Sequence, residues 1–163
     1  MELKRRVSFR KYITIFYVAA FFMYLVLGLQ PAEATHYAIS GELRIPKIGL
    51  VSDVTTLELI NHRLATPDTI VGSYSRYESK IFLIGHSSTV FKNLDQIQIG
   101  DTINYNNKEY IVEQTEILAK DVVDMKEIVG AEEINTLIIM TCAGESIGEH
   151  DASHRLVVTA TEV

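Results

Sequence analysis

Residues 137–158 read LIIMTCAGESIGEHDASHRLVV, two apolar runs on either side of a largely polar stretch. The runs belong to TLIIMT at 136–141 and RLVVTAT at 155–161, both short and rich in β-branched residues, which marks strands rather than helices. Cys142, the only cysteine, follows the first run, and Arg155 opens the second. The twelve residues between them, 143–154, read as a loop. If the two strands pair antiparallel, the end of one lies beside the start of the other. That pairing sets a guanidinium near a thiol. An arginine is always charged and carries several N–H donors, so it suits a peptide carbonyl or a developing oxyanion. The same side chain also suits an ion pair with a loop carboxylate.

Further out, the same texture continues. IFLI at 81–84 is a buried strand ending at Gly85, and QIQIGDTINY at 96–105 alternates apolar and polar residues around Gly100. Asn106-Asn107 supplies a hairpin turn into YIVEQTEIL. In ELRIPKIGLV, Pro46 restricts the segment to an edge strand, a strand start or a bulge. Thr55 to Glu58 forms a capping-box pattern ahead of Leu57, Ile60 and Leu64, whose spacing predicts a short helix over 56–64. A turn at Pro67-Asp68 follows, and AKDVVDMKEIVGAEE at 119–133 suggests a short strand and a helical turn. Many short strands with few helices point to an all-β closed barrel or sandwich, not a doubly wound sheet.

Residues 12–29, YITIFYVAAFFMYLVLGL, carry no charged side chain. As a helix this run rises about 27 Å, near the thickness of a bilayer's hydrocarbon core. Lys4, Arg5, Arg6, Arg10 and Lys11 precede it, which predicts a cytoplasmic tail over 1–11, a transmembrane anchor over 12–29 and everything beyond outside the cytoplasm. The alternatives are a cleaved secretory signal, since Ala32-Glu33-Ala34 fits a small-x-small cleavage site, and a buried core helix. Residues 30–41 read as a linker, and 42–163 as the folded domain.

From residue 35 onward the chain holds ten basic and nineteen acidic side chains, a formal net of −9. Such a domain is poorly suited to phosphate backbones, so nucleic acid is not an expected partner. One cysteine permits neither an internal disulfide nor a multi-cysteine zinc site. A lone thiol in an exported domain is either buried and inert or kept for chemistry.

A thiol attacks as thiolate and needs an imidazole or a cation nearby. His36 and His62 read as solvated surface residues, and His150 and His154 sit in the acidic stretch ESIGEHDASH. There, metal binding with Glu145, Glu149 or Asp151 matches no defensible ligand spacing, so a solvated loop is the reading. His86 differs: it follows IFLIG at a strand end and begins the polar run HSST, a place where rigid scaffolds present reactive groups.

Taken in order and spacing, RIPKIGL, LIGHSS…FKNLDQIQIGDTINY, TLIIMTC and RLVVTA resemble the sortase family of Gram-positive cysteine transpeptidases over residues 42–163. The resemblance implies an all-β, closed eight-stranded barrel with short helices. It implies Cys142 as nucleophile, His86 as catalytic histidine and Arg155 as catalytic arginine. The substrate implied is a surface protein with a C-terminal LPxTG-like sorting signal, cleaved through a Cys142 thioester. The acceptor is an amine from a cell-wall cross-bridge or a pilin lysine. The membrane is a partner through the N-terminal helix, and no cofactor or metal is expected. Many members place a proline or acidic residue soon after the cysteine, whereas this chain has Ala143-Gly144-Glu145. The short connector and the end at Val163 favour an anchoring or accessory type over a pilin-polymerising one. A thiol protease releasing its substrate to water and a non-catalytic binding barrel with a buried Cys142 are the competing functions.

Overall fold

The computed structural model describes residues 16–18, 21, 23, 37–61, 63–77, 79–130, 135–148 and 151–163. The chain forms two compact units, Met1–His36 and Tyr37–Val163. In the first, Phe16, Tyr17, Val18, Phe21 and Met23 are helical with exposed side chains. The rest of the apolar helix expected over 12–29 lies outside the described residues. Among the described residues, no helix is long and apolar enough to cross a membrane.

Among the described residues the second unit has ten strands: β1 (Ile39–Ile45), β2 (Leu50–Thr56), β3 (Leu59–Ile60), β4 (Arg63–Leu64), β5 (Val71–Tyr77), β6 (Lys80–Ile84), β7 (Thr102–Tyr105), β8 (Lys108–Ala119), β9 (Thr136–Gly148) and β10 (Asp151–Glu162). Eight of them close into the expected barrel in the order β1-β2-β5-β6-β9-β10-β8-β7, while β3 and β4 form a separate hairpin. Within the barrel β2–β5 and β6–β9 are parallel, and the other neighbours are antiparallel.

Local chemistry sets the strand ends. Pro46 lacks an N–H to donate, so β1 stops at Ile45 and a 3₁₀ turn follows over Pro46–Ile48. Asn106 and Asn107 both take positive φ, 49° and 63°, as a tight hairpin between β7 and β8 requires. A 3₁₀ turn at Lys120–Val122 and one α-helical turn at Met125–Ile128 occupy the segment between β8 and β9, where a short strand was also expected.

Side-chain alternation divides the barrel into two apolar layers. Leu83, Leu137, Ile139, Leu156, Val158 and Ala160 point into the interior with Leu43, Ile45, Val71 and Phe91. Phe82, Ile138, Met140 and Val157, the residues between them, point outward into a second cluster. Leu64, Tyr74, Val123, Met125 and Val129 pack over that outer layer. Thr136–Thr141 is therefore buried at every position, which explains an unbroken apolar run rather than an alternating one. Each large aliphatic side chain taken fully out of water stabilises the fold by roughly 1.5–3 kcal/mol.

Two expectations are corrected. The segment 56–64 is not a helix: Thr56 ends β2, Leu59–Ile60 pairs with Arg63–Leu64, and Asn61 adopts φ 50°. Pairing of Val54–Thr56 with Val71–Ser73, extended by a 2.7 Å bond from the Leu57 amide to the Ser73 carbonyl, holds the would-be first turn in extended form. Nor is 143–154 a simple loop. β9 runs on to Gly148 and β10 begins at Asp151, so most of the stretch is a paired ribbon, with register shifts on either side of Ala152. Its polar composition reflects exposure on the ribbon, not irregular backbone.

Candidate active site

The end of β6 and the interiors of β9 and β10 carry the three candidate residues. Ile84 pairs with Met140 across the parallel β6–β9 ladder, and both belong to the outer layer. Two residues further along each chain stand His86 and Cys142. Within β9 a period of two returns a side chain to the same face, so Cys142 continues the outer face marked by Met140, while His86 lies two residues past Ile84, the last residue of β6. Between them, Thr141 turns inward, is 4% exposed, and donates its hydroxyl to the Gly85 carbonyl at 2.8 Å. This bond ties β9, at the residue before Cys142, to the residue before His86.

Arg155 is the direct cross-strand partner of Cys142 on β10, so the two side chains share one face. The antiparallel pairing expected from the sequence thus holds at the register of the site. Cys142 is half-buried, and as the only cysteine it forms no disulfide within the chain.

His86 sits in a compact turn. Its carbonyl accepts from the amides of Thr89 at 3.3 Å and Phe91 at 3.0 Å. Gly85 is required there: a Cβ would lie 2.5 Å from Val90 Cγ1 and 2.8 Å from Phe91 Cδ2. The imidazole is 15% exposed, with Asp68 Oδ1 4.0 Å from Nε2, ion-pair range but too long for a hydrogen bond. The Asp68 carbonyl accepts the Thr89 hydroxyl at 2.7 Å, fastening that loop to the histidine turn.

Arg155 is held from its own strand. Nη1 donates to the carbonyls of Ala152 at 2.8 Å and His154 at 2.9 Å, and Nη2 to Asp151 Oδ1 at 2.8 Å. The ion pair with a loop carboxylate, raised as an alternative, is therefore present together with the position opposite Cys142. Asp151 also accepts from Lys120 Nζ. The Lys120 ammonium first, then the Arg155 guanidinium, hold the Asp151 carboxyl at a pKa of about 2.

A cleft of about 420 Å³ opens on the outer face, floored by Ile84 and Met140 and walled by Leu64, Tyr74, Met125 and Val129. Arg76 and Lys126 add positive charge to its lining. Ile84 and Met140 each stand two residues before His86 and Cys142 in sequence.

Of the other sequence candidates, His150 and Glu149 lie outside the described residues, and His154 Nδ1 is 2.8 Å from Ser153 Oγ. Among the described residues no group of three or more His, Cys, Asp or Glu side chains is arranged to hold a metal ion. Thr141, Asp68 and Lys120 were not singled out by sequence. Asp68 and Lys120 reach the site across long stretches of chain and leave no local pattern, whereas a threonine beside the lone cysteine was a signal to follow.

The family model described as "Sortase domain" matches residues 43–163. No curated protein matches the chain. Among solved structures, sortase A from Corynebacterium diphtheriae (a lid mutant) aligns with a TM-score of 0.63 at 21% identity, over 83% of this chain and 75% of that one. Sortase C1 from Streptococcus agalactiae aligns with a TM-score of 0.57 at 21% identity, over 77% and 67%. Sortase C-3 from Streptococcus pneumoniae gives 0.58 at 20% identity, over 81% and 65%. The solved structures share the fold with this chain.

Proposed function

The chain belongs to the sortase family of cysteine transpeptidases, and from that premise we propose that Cys142, His86 and Arg155 carry its acyl transfer from a sorting signal to an amine. The observation that supports this most is the face shared by Cys142 and Arg155. A largely apolar cleft is lined by Ile84 and Met140, each two residues before His86 and Cys142, and Arg155 stands directly opposite the half-buried thiol.

The substrate is an extended LPxTG-like segment near the C-terminus of a surface protein, its apolar side chains seated over Ile84 and Met140. The Cys142 thiolate attacks the carbonyl carbon of the threonine–glycine bond. Arg155 donates hydrogen bonds to the developing oxyanion. As the C–N bond breaks, protonated His86 gives its proton to the leaving amine, and a thioester with Cys142 remains. An incoming amine from a cell-wall cross-bridge or a pilin lysine attacks that thioester. His86 takes up the proton, the new amide forms, and the Cys142 thiolate departs.

Residues 42–163 are the catalytic barrel in this reading, with 30–41 as linker. The uncharged run 12–29 behind a basic tail supports a single-pass membrane anchor, N-terminus inside and barrel outside. Attachment of surface proteins to the cell wall follows from that location and chemistry.

The test is incubation of the full chain with LPxTG-type peptides, with and without amine nucleophiles, followed by intact-mass analysis. An adduct on Cys142 that resolves into an amine-ligated product supports transpeptidation. Release of the peptide to water at the same rate with or without amine would instead identify a thiol protease. A chain that forms no adduct would leave a binding barrel.

A further inference from the structure

Cys142 pairs with Arg155, yet a guanidinium on a flexible stem can point many ways, and only one orientation serves an oxyanion. We propose that Asp151 is a positioning residue that aims Arg155 at the acyl group on Cys142. This rests on the role given to Arg155 above.

A guanidinium carries five N–H donors in one plane. Three are committed: two on Nη1 to the carbonyls of Ala152 and His154, and one on Nη2 to the Asp151 carboxylate. Among the described residues these contacts leave Nε–H and one hydrogen of Nη2 unused, on two nitrogens bonded to the same guanidinium carbon. Two donors so placed match the geometry in which guanidinium binds an oxygen-bearing acid or a tetrahedral oxyanion.

The two carbonyls hold Nη1, and Asp151 holds Nη2, so the guanidinium is tethered at both terminal nitrogens and Asp151 supplies its only charged anchor among these three. Asp151 is itself restrained. Its Oδ1 also accepts the Ala152 amide at 2.9 Å, and Oδ2 accepts from Lys120 at the end of β8. Arg155 and Asp151 are 15% and 31% exposed at their side chains, so water competes little at the arginine. Ordering the arginine in the folded protein removes that entropy cost from the moment of reaction.

Charge makes the second half of the argument. Asp151 lies between two cations, Lys120 and Arg155. Removing the carboxylate leaves Arg155 charged but unaimed, and adds repulsion from Lys120. Neutralisation therefore acts on the arginine's geometry without deleting any group that touches substrate.

The experiment is a double-mutant cycle on the full chain, using Asp151→Asn, Asp151→Glu, Arg155→Ala and the Asp151→Asn/Arg155→Ala pair. Steady-state acylation kinetics and thermal melting are read on each. Arg155→Ala is expected to lower kcat by about 10²–10³-fold, the scale of a lost oxyanion donor. Asp151→Asn should lower kcat at least tenfold with KM within about twofold, and Asp151→Glu should recover part of the loss. The pair should be no slower than Arg155→Ala alone, because an aiming residue has nothing to aim. Two results overturn the proposal: Asp151→Asn within twofold of wild type while Arg155→Ala is strongly impaired, or losses that multiply in the pair. If Arg155→Ala itself keeps full activity, the role of the arginine falls, and the aiming role falls with it. A change in melting temperature without a change in kcat marks a purely structural ion pair and overturns the proposal too.

Discussion

The Thr141 hydroxyl reaches across 56 residues of sequence to the Gly85 carbonyl, at 2.8 Å and out of contact with water. Each residue immediately precedes a proposed catalytic group. The bond therefore sets the height of Cys142 relative to His86, since β6 itself ends at Ile84. Thr141→Val keeps the volume but leaves a buried carbonyl without its donor. It should cost about 1–3 kcal/mol in a denaturant titration. Acylation should fall by more than the lost folded population explains; an activity equal to wild type would show that the strand ends keep their level unaided.

Gly85 has no room for a side chain. In Gly85→Ala the new methyl meets Val90 and Phe91, and Phe91 is only 1% exposed. Overpacking of this kind costs typically 1–3 kcal/mol. Relief comes from moving the 86–91 turn, which carries the histidine. Calorimetry should show a lower melting temperature, and kcat should fall further than for an equally destabilising change at a distant core position.

The Asp151 carboxyl titrates at about 2, below its ordinary 3.8, through Lys120 first and Arg155 second. A depressed carboxylate stabilises the fold fully above its unfolded pKa, and the contribution disappears as pH falls through the folded value. The pair should therefore contribute unchanged from neutral pH down to about pH 5 and be lost between about pH 4 and pH 2. Urea titrations of wild type and Asp151→Asn should converge over that acid range. A constant offset down to pH 2 would contradict the assignment.

Cys142→Ala should retain the fold, since the side chain is only half-buried and forms no disulfide within the chain. Turnover should fall by on the order of 10³-fold or more, as when a nucleophile acting in a unit is deleted. Labelling with a neutral alkylating agent across pH should give one modified site in wild type and none in the variant. Equal labelling of both would remove the nucleophile from the mechanism.

The legible parts of the fold were those where one strand's burial is symmetric or its turn is chemically specified. IFLI, TLIIMT and the Asn106-Asn107 turn read directly because interior and outer clusters bury both faces and because asparagine tolerates positive φ. Leu57, Ile60 and Leu64 share a helical spacing by coincidence. Parallel pairing of β2 with β5 fixes Thr56 in a strand, a tertiary constraint that no local window contains. At the site, the neighbourhood of Cys142 and Arg155 follows from one hairpin. That of Cys142 and His86 depends on a parallel ladder, whose partners the pattern does not name, so it rested on family likeness. Lys120 is further removed still, meeting Asp151 only because β8 flanks β10.

The mixed pairing also divides the site by how far apart its parts lie in sequence. β9 and β10 are a hairpin, so the thiol can meet its arginine through a short loop closure. The placing of His86 depends instead on β6 pairing with β9 across 56 residues, a closure that costs more chain entropy. The two halves of the proposed site thus rest on closures of different length, and the β1–β7 seam that completes the barrel, Leu43 with Tyr105, is longer than either.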